Sequence, residues 1–135
     1  MRSLTFLLIV LLASPLSAAP PQSRMTVTPS SGAAITGPQS GPFTPASFTY
    51  ALGSTGKRLS YRITGLPSWL TASSLSGTTP ATVMFSVNGN ASVLGGPLAY
   101  SGTMTVTNTT NGLGNATRAV TLTVSDGAIS SAATL

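Results

Sequence analysis

The sequence predicts an all-β fold, a two-sheet sandwich of seven to eight short, mostly antiparallel strands. Three observations carry that prediction. Beyond a short extended lead at Pro20-Pro21-Gln22-Ser23, no run has helical spacing, whereas many runs alternate with a period of two. The alternating runs are punctuated by clusters of Gly, Pro and Asn, the pattern of a sandwich. The chain of 135 residues holds no cysteine, so its stability must come from packing and sheet hydrogen bonds rather than from disulfides.

Taken in order, Met25-Thr26-Val27-Thr28 begins the domain with Met25 and Val27 on one face. Pro29 to Pro45 holds three glycines and four prolines, compatible with a strand that switches along a sheet edge around Ala34-Ile35-Thr36. Phe48, Tyr50 and Leu52 alternate with Ser47, Thr49 and Ala51, and Leu59, Tyr61 and Ile63 alternate with Ser60 and Arg62, so Arg62 falls on the solvent side by parity. The glycine-bounded run between these two strands reads as a hairpin-like connection. Val83, Phe85 and Val87 form a further inward set, as do Tyr100, Gly102, Met104 and Val106, and then Val120, Leu122 and Val124.

Parity fixes one register. Directly opposed residues of an antiparallel pair share a face, so Met104 and Val106 should oppose even-numbered partners such as Leu122 and Val120. A two-residue Asn111-Gly112 turn would pair Val106 with Thr117 and turn the apolar set outward. The expectation is therefore an odd-length loop with Gly112 or Gly114 in a left-handed conformation, or a bulge that corrects the parity.

The first nineteen residues have the form of a secretory signal. Arg2 gives a positive start, Leu4 to Ala13 an apolar run, and Ser14-Pro15 a break before Ser17-Ala18-Ala19. That run is far short of the roughly twenty residues that span a bilayer. Cleavage after Ala18 or after Ala19 both remain open. Residues 20–126 form the domain and 127–135 a short flexible tail. Export implies a periplasmic, cell-surface or extracellular location, with no transmembrane anchor after processing.

Catalytic chemistry finds few groups. There is no histidine, and Asp126 is the single acidic residue of the chain. Paired carboxylates, Ser-His-Asp and Cys-His arrangements cannot be built, and zinc or calcium would find at most one charged ligand. A serine activated by Lys57 is the one formal possibility, but Lys57 lies in the loop-like run Gly53-Ser54-Thr55-Gly56-Lys57-Arg58, where a solvated amine is a poor base. The reading is a non-enzyme without catalytic residues, metal site or cofactor. After signal removal five cations, Arg24, Lys57, Arg58, Arg62 and Arg118, stand against Asp126, a net charge of +4. Such sparse charge does not form the basic stripe of a nucleic-acid binder. Lys57, Arg58 and Arg62 are the closest grouping, enough for a weak anionic contact.

The most individual segment is Gly65-Leu66-Pro67-Ser68-Trp69-Leu70-Thr71-Ala72-Ser73. Together with Thr28-Pro29-Ser30-Ser31-Gly32, Gly37-Pro38-Gln39-Ser40-Gly41-Pro42-Phe43, Ser86-Val87-Asn88 and Thr105 to Asn115, it resembles the BACON-type immunoglobulin-like domains of bacterial secreted and surface proteins. The resemblance covers nearly the whole chain after the signal. It implies an accessory binding or adhesion module whose partner is a cell-surface or environmental glycan, or an envelope protein. It departs from that family's usual setting in having no catalytic partner domain and a short stretch between Gly77 and Val83.

Trp69 could stack on a sugar ring, but its neighbours Leu66, Pro67 and Leu70 favour a plug at the end of the sandwich. Phe48, Tyr50, Tyr61, Phe85 and Tyr100 mostly share inward parity, which leaves Phe43 and one tyrosine as candidate exposed platforms. No residue is singled out as ligand-binding. Asn90-Ala91-Ser92, Asn108-Thr109-Thr110 and Asn115-Ala116-Thr117 match the N-glycosylation pattern, which arises by chance in Asn- and Thr-rich loops. The outward threonines fit β-propensity and solubility without charge. Alternatively, the domain is a structural spacer that assembles through its own edge strands.

Overall fold

The computed structural model describes residues 9–10 and 13–127. Most of the expected signal segment and all but Gly127 of the expected tail lie outside these. Among the described residues no helix is long and apolar enough to cross a membrane.

Among the described residues nine strands form two facing sheets: β1 (Met25–Thr28), β2 (Ala33–Pro38), β3 (Ser47–Ser54), β4 (Ser60–Thr64), β5 (Leu70–Ala72), β6 (Ser76–Thr78), β7 (Ala81–Val87), β8 (Leu98–Asn108) and β9 (Ala116–Ser125). One sheet runs β1-β3-β7-β5 and the other β2-β9-β8-β4-β6. All pairings are antiparallel except β2 with β9. Between them lies one core of Met25, Ile35, Tyr50, Leu52, Tyr61, Ile63, Trp69, Phe85, Met104, Val106, Leu122 and neighbours. Phe48 stacks on Phe85 at 5.3 Å between ring centroids, and Tyr50 meets both rings edge-on.

The chain crosses between sheets at both lateral margins. β1 and β2 are edge strands of opposite sheets, and residues 29–32 carry the chain from one to the other. This is the switch expected around Ala34-Ile35-Thr36. On the far margin residues 73–75 do the same between β5 and β6. These two three-residue strands take the count to nine, above the seven to eight expected, because segments so short show no period from which to read them.

The hairpin expected between Leu52 and Leu59 is not formed. β3 is flanked by β1 and β7, so both of its hydrogen-bonding edges are occupied, and residues 55–59 arch over to β4 in the other sheet. The arch closes on the N-terminal lead instead. Thr55 N–H donates to the Arg24 carbonyl (2.9 Å), Arg24 N–H to Thr55 Oγ1 (2.9 Å), and Lys57 N–H to Ser23 Oγ (2.7 Å).

The β8–β9 register has the expected parity: Met104 opposes Arg118, Val106 opposes Ala116, and Val120 and Leu122 oppose Gly102 and Tyr100. The partners named from sequence were displaced by the loop, which takes seven residues, 109–115, between the strands. Gly112 and Gly114 both have positive φ, at 73° and 82°. Asn108, 1% exposed, organises this loop from inside. Its side-chain amide donates to the Leu113 carbonyl (2.9 Å), its Oδ1 accepts from Thr110 N–H (3.0 Å), and its backbone N–H donates to Asn115 Oδ1 (2.8 Å).

Candidate functional site

The strands' directions give the sandwich two unlike ends. At one end lie the β3–β4 arch, the lead to β1, and the β8–β9 loop; at the other lie the start of β3, the end of β7, the start of β8 and the end of β9. Arg24 precedes β1, Lys57 and Arg58 sit on the arch, and Arg62 and Arg118 are each the third residue of a strand that starts at the arch end. Asp126 follows the last residue of β9, about 30 Å away at roughly 3.4 Å per residue. All described cations therefore occupy one half of the molecule, and the acid lies at the far end.

At the arch end, a cleft of about 520 Å³ opens between the lead and the arch, lined by Pro21, Gln22, Lys57, Arg58, Thr110 and Asn111 among others. Its walls are held from several directions. Asn111 donates through its side-chain amide to the Ser23 carbonyl (2.9 Å), Ser60 N–H donates to Thr110 Oγ1 (2.8 Å), and Gly56 N–H to Ser54 Oγ (3.2 Å). Arg24, Lys57 and Arg58 are exposed around this end. The grouping read from sequence changes here: Arg62 lies on the outer face of its sheet, opposite Thr107 and Ser76, and Arg24 joins the arch through Thr55. Exposed cations beside hydroxyls and amides suit an acidic or hydroxyl-rich ligand in water, where Coulomb attraction is modest and screened by salt.

Arg118, by contrast, is engaged. Its guanidinium donates from Nε to the Pro29 carbonyl (3.0 Å) and from its terminal nitrogens to the Val27 (2.7 Å) and Thr117 (2.8 Å) carbonyls. It also sits 5.8 Å from the Tyr50 ring centroid. Tyr50 donates to the Ser31 carbonyl (2.8 Å), so the pair ties the β1–β2 crossing down. Burial pushes the Tyr50 phenol above its ordinary range, and Arg118 offsets part of that. Sequence gave no sign of this role, since a lone arginine in an alternating strand reads as a solvent-facing residue.

The opposite end is filled. Trp69 is 4% exposed and belongs to the core, the plug expected from its apolar neighbours. The Asn88-Gly89-Asn90 corner holds its segment. Asn88 N–H donates to the Trp69 carbonyl (3.0 Å), and the side-chain amides of Asn88 and Asn90 both donate to the Ser68 carbonyl (3.0 and 2.9 Å). Neither candidate platform is a free ring face. Phe43 is half-buried against the core, and Tyr100 is half-buried with its hydroxyl donating to the Gly95 carbonyl (2.8 Å). The amides of Asn90 and Asn108, in two of the glycosylation patterns, are engaged in hydrogen bonds within the fold. A shallower groove of about 380 Å³ on the outer face of the four-stranded sheet is lined by Thr26, Thr28, Ala51, Gly53, Pro80 and Thr82, with no charge.

No family model and no curated protein matches this chain. Among solved structures, it is similar to the ASH/PapD-like domain 7 of human CEP192, at 12% identity and a TM-score of 0.56, over 91% of this chain and 99% of that one. It is also similar to a Bacteroides ovatus GH5 xyloglucanase solved with a XXXG heptasaccharide, at 14% identity and a TM-score of 0.54. That match covers 74% of this chain and 19% of the enzyme, so this chain spans about a fifth of its length. A further similarity is to WR4, a C. elegans member of the MSP family, at 13% identity and a TM-score of 0.41, over 77% and 100%. At 12% identity the likeness to the PapD-like domain shows the fold alone, an immunoglobulin-like sandwich.

Proposed function

We propose that this chain is an exported, non-catalytic binding module of the BACON type that engages an acidic glycan through its arch end. The observation that carries the reading is the segregation of charge: Lys57 and Arg58 line a cleft of about 520 Å³ in the half of the molecule that holds every described cation. The signal-like residues 1–19 support export, and the lack of histidine and of any second carboxylate supports a non-catalytic role. Burial of Trp69 and engagement of Tyr100 argue against stacking on a neutral sugar ring and in favour of charge and hydroxyl recognition.

The test is titration of the purified protein with a polyuronate and with neutral xyloglucan at two salt concentrations. Binding to the polyuronate alone, weakened by salt and lost in the Lys57→Ala/Arg58→Ala double variant, is the expected result. Equal, salt-independent binding to the neutral polymer, or binding retained in the double variant, overturns it.

A spacer role is the second reading, and one observation favours it. The described chain enters the sandwich at the arch end and leaves β9 at the opposite end, the geometry of a module linked in series.

A further inference from the structure

The edges of the two sheets are not equally protected. On β1, Met25 N–H donates to the Leu113 carbonyl (3.0 Å) and the Val27 carbonyl accepts from Arg118. On β2, Thr36 and Thr44 exchange N–H···O=C bonds of 2.9 and 2.7 Å. β5 and β6 are three residues long. These are the usual devices by which a sandwich blunts its edges: short strands, capped carbonyls and covering loops.

One stretch lacks all of them. β8 runs for eleven residues and pairs with β9 from Leu98 to Val106, but with β4 only from Thr105 to Asn108. β4 stops at Thr64 because Gly65, at φ 77°, turns the chain inward beneath β8, where Pro67 fills the space below Gly102. The Thr103 carbonyl faces Gly65, which places the main-chain groups of odd-numbered β8 residues on the β4 side. On that side the N–H and C=O of Ala99 and Ser101 have no hydrogen-bond partner among the described residues. No charged residue and no proline lies between Leu98 and Thr103, and Leu98 is 56% exposed.

We infer that this half of β8 is a self-association edge, and that its occupant is the same edge of a second copy of this chain. Charge selects the partner. An antiparallel β8–β8 pair points the two arch ends in opposite directions, so the described cations of the two copies lie at the far ends of the joined sheet. A register centred on Tyr100 sets Ala99 of each copy opposite Ser101 of the other, which uses all four free groups. It also sets each exposed Leu98 opposite the partner's Gly102, on the face where that copy's Pro67 lies, so that two apolar side chains meet. The result is an isologous contact that joins two five-stranded sheets into one. A contact of this size belongs to the weak, transient class, so it forms at high local concentration.

The experiment is sedimentation of the purified protein up to about 1 mM, a range suited to weak interfaces, with amide exchange read at Ala99 and Ser101. The expected result is a monomer–dimer equilibrium in which both amides become protected as concentration rises. Ser101→Pro removes an N–H that β9 does not use, and Ser101→Lys sets like charges close to one another across the pair. Each should weaken dimerisation at least tenfold while Trp69 emission, the report of an intact core, stays unchanged. A strict monomer throughout the range overturns the inference. So do a dimer unaffected by both variants, and protection of these amides by a foreign extended peptide without self-association.

Discussion

The two ends of this sandwich are built from the same material, loops rich in Ser, Thr, Asn and Gly, and yet they do opposite things. The far end turns its one tryptophan inward and pins the segment before it with the amides of Asn88 and Asn90. The arch end carries its long side chains outward, with Lys57 and Arg58 exposed on a backbone held by Ser23, Thr55 and Asn111. The difference teaches that side-chain direction, not loop composition, decides which end is structural. Amide side chains here serve as internal struts at both ends, and only the arch end couples those struts to free charge.

The largest effect follows from the filled end. Trp69→Ala removes a large ring that is 4% exposed within the core, and should destabilise the fold by about 3–5 kcal/mol. Chemical denaturation followed by far-UV circular dichroism measures it. If the loss were below about 1 kcal/mol, the ring would not be a plug and the contrast between the ends would fail.

Next come the struts. Asn108→Ala strands the Leu113 carbonyl and the N–H groups of Thr110 and Asn111 at the arch end, and should cost about 1–3 kcal/mol. Asn88→Ala leaves the Ser68 carbonyl still bonded to Asn90 and should cost less. A larger loss at Asn88 than at Asn108 in the same denaturation assay would reverse the ranking of the two ends.

Most of the fold was legible because its signal is local and periodic. The inward sets Phe48-Tyr50-Leu52, Leu59-Tyr61-Ile63 and Val120-Leu122-Val124 are read from alternation, and the odd β8–β9 loop from parity alone. The crossings were less legible. Whether Leu52 connects to Leu59 by a hairpin or an arch depends on who occupies the edges of β3, which is decided by β1 and β7, distant in sequence. β5 and β6 are too short to show a period. Of the candidate site, Lys57 and Arg58 were visible as a charge pair, but Arg24 joins them only because the lead pairs with the arch. Arg118 was invisible as a clamp because its partners are main-chain carbonyls about ninety residues away.

That clamp separates the tied cation of the arch half from the free ones, and pH tests it. Burial raises the Tyr50 phenol, so the unfolded chain ionises first as pH climbs. The stability Tyr50 contributes is complete below the ordinary tyrosine value of about 10 and falls as pH rises past it. The denaturation midpoint should therefore drop in that alkaline window, and Tyr50→Phe should flatten the drop. An equal alkaline drop in the variant would assign it to groups other than Tyr50.

The smallest effect on stability should be the largest on binding. Lys57 and Arg58 are exposed, and the hydrogen bonds recorded for Lys57 use its backbone N–H and carbonyl, so Lys57→Ala/Arg58→Ala leaves every strut of the arch in place. The double variant should unfold within about 0.5 kcal/mol of the parent, as surface substitutions do. Its polyuronate affinity should nevertheless fall at least several-fold, and the salt dependence of what remains should flatten. Since both cations that line the cleft are gone while its backbone is kept, a retained affinity would mean that the hydroxyls and amides bind without charge. The arch end would then still differ from the tryptophan end in binding, but Lys57 and Arg58 would have no part in that difference.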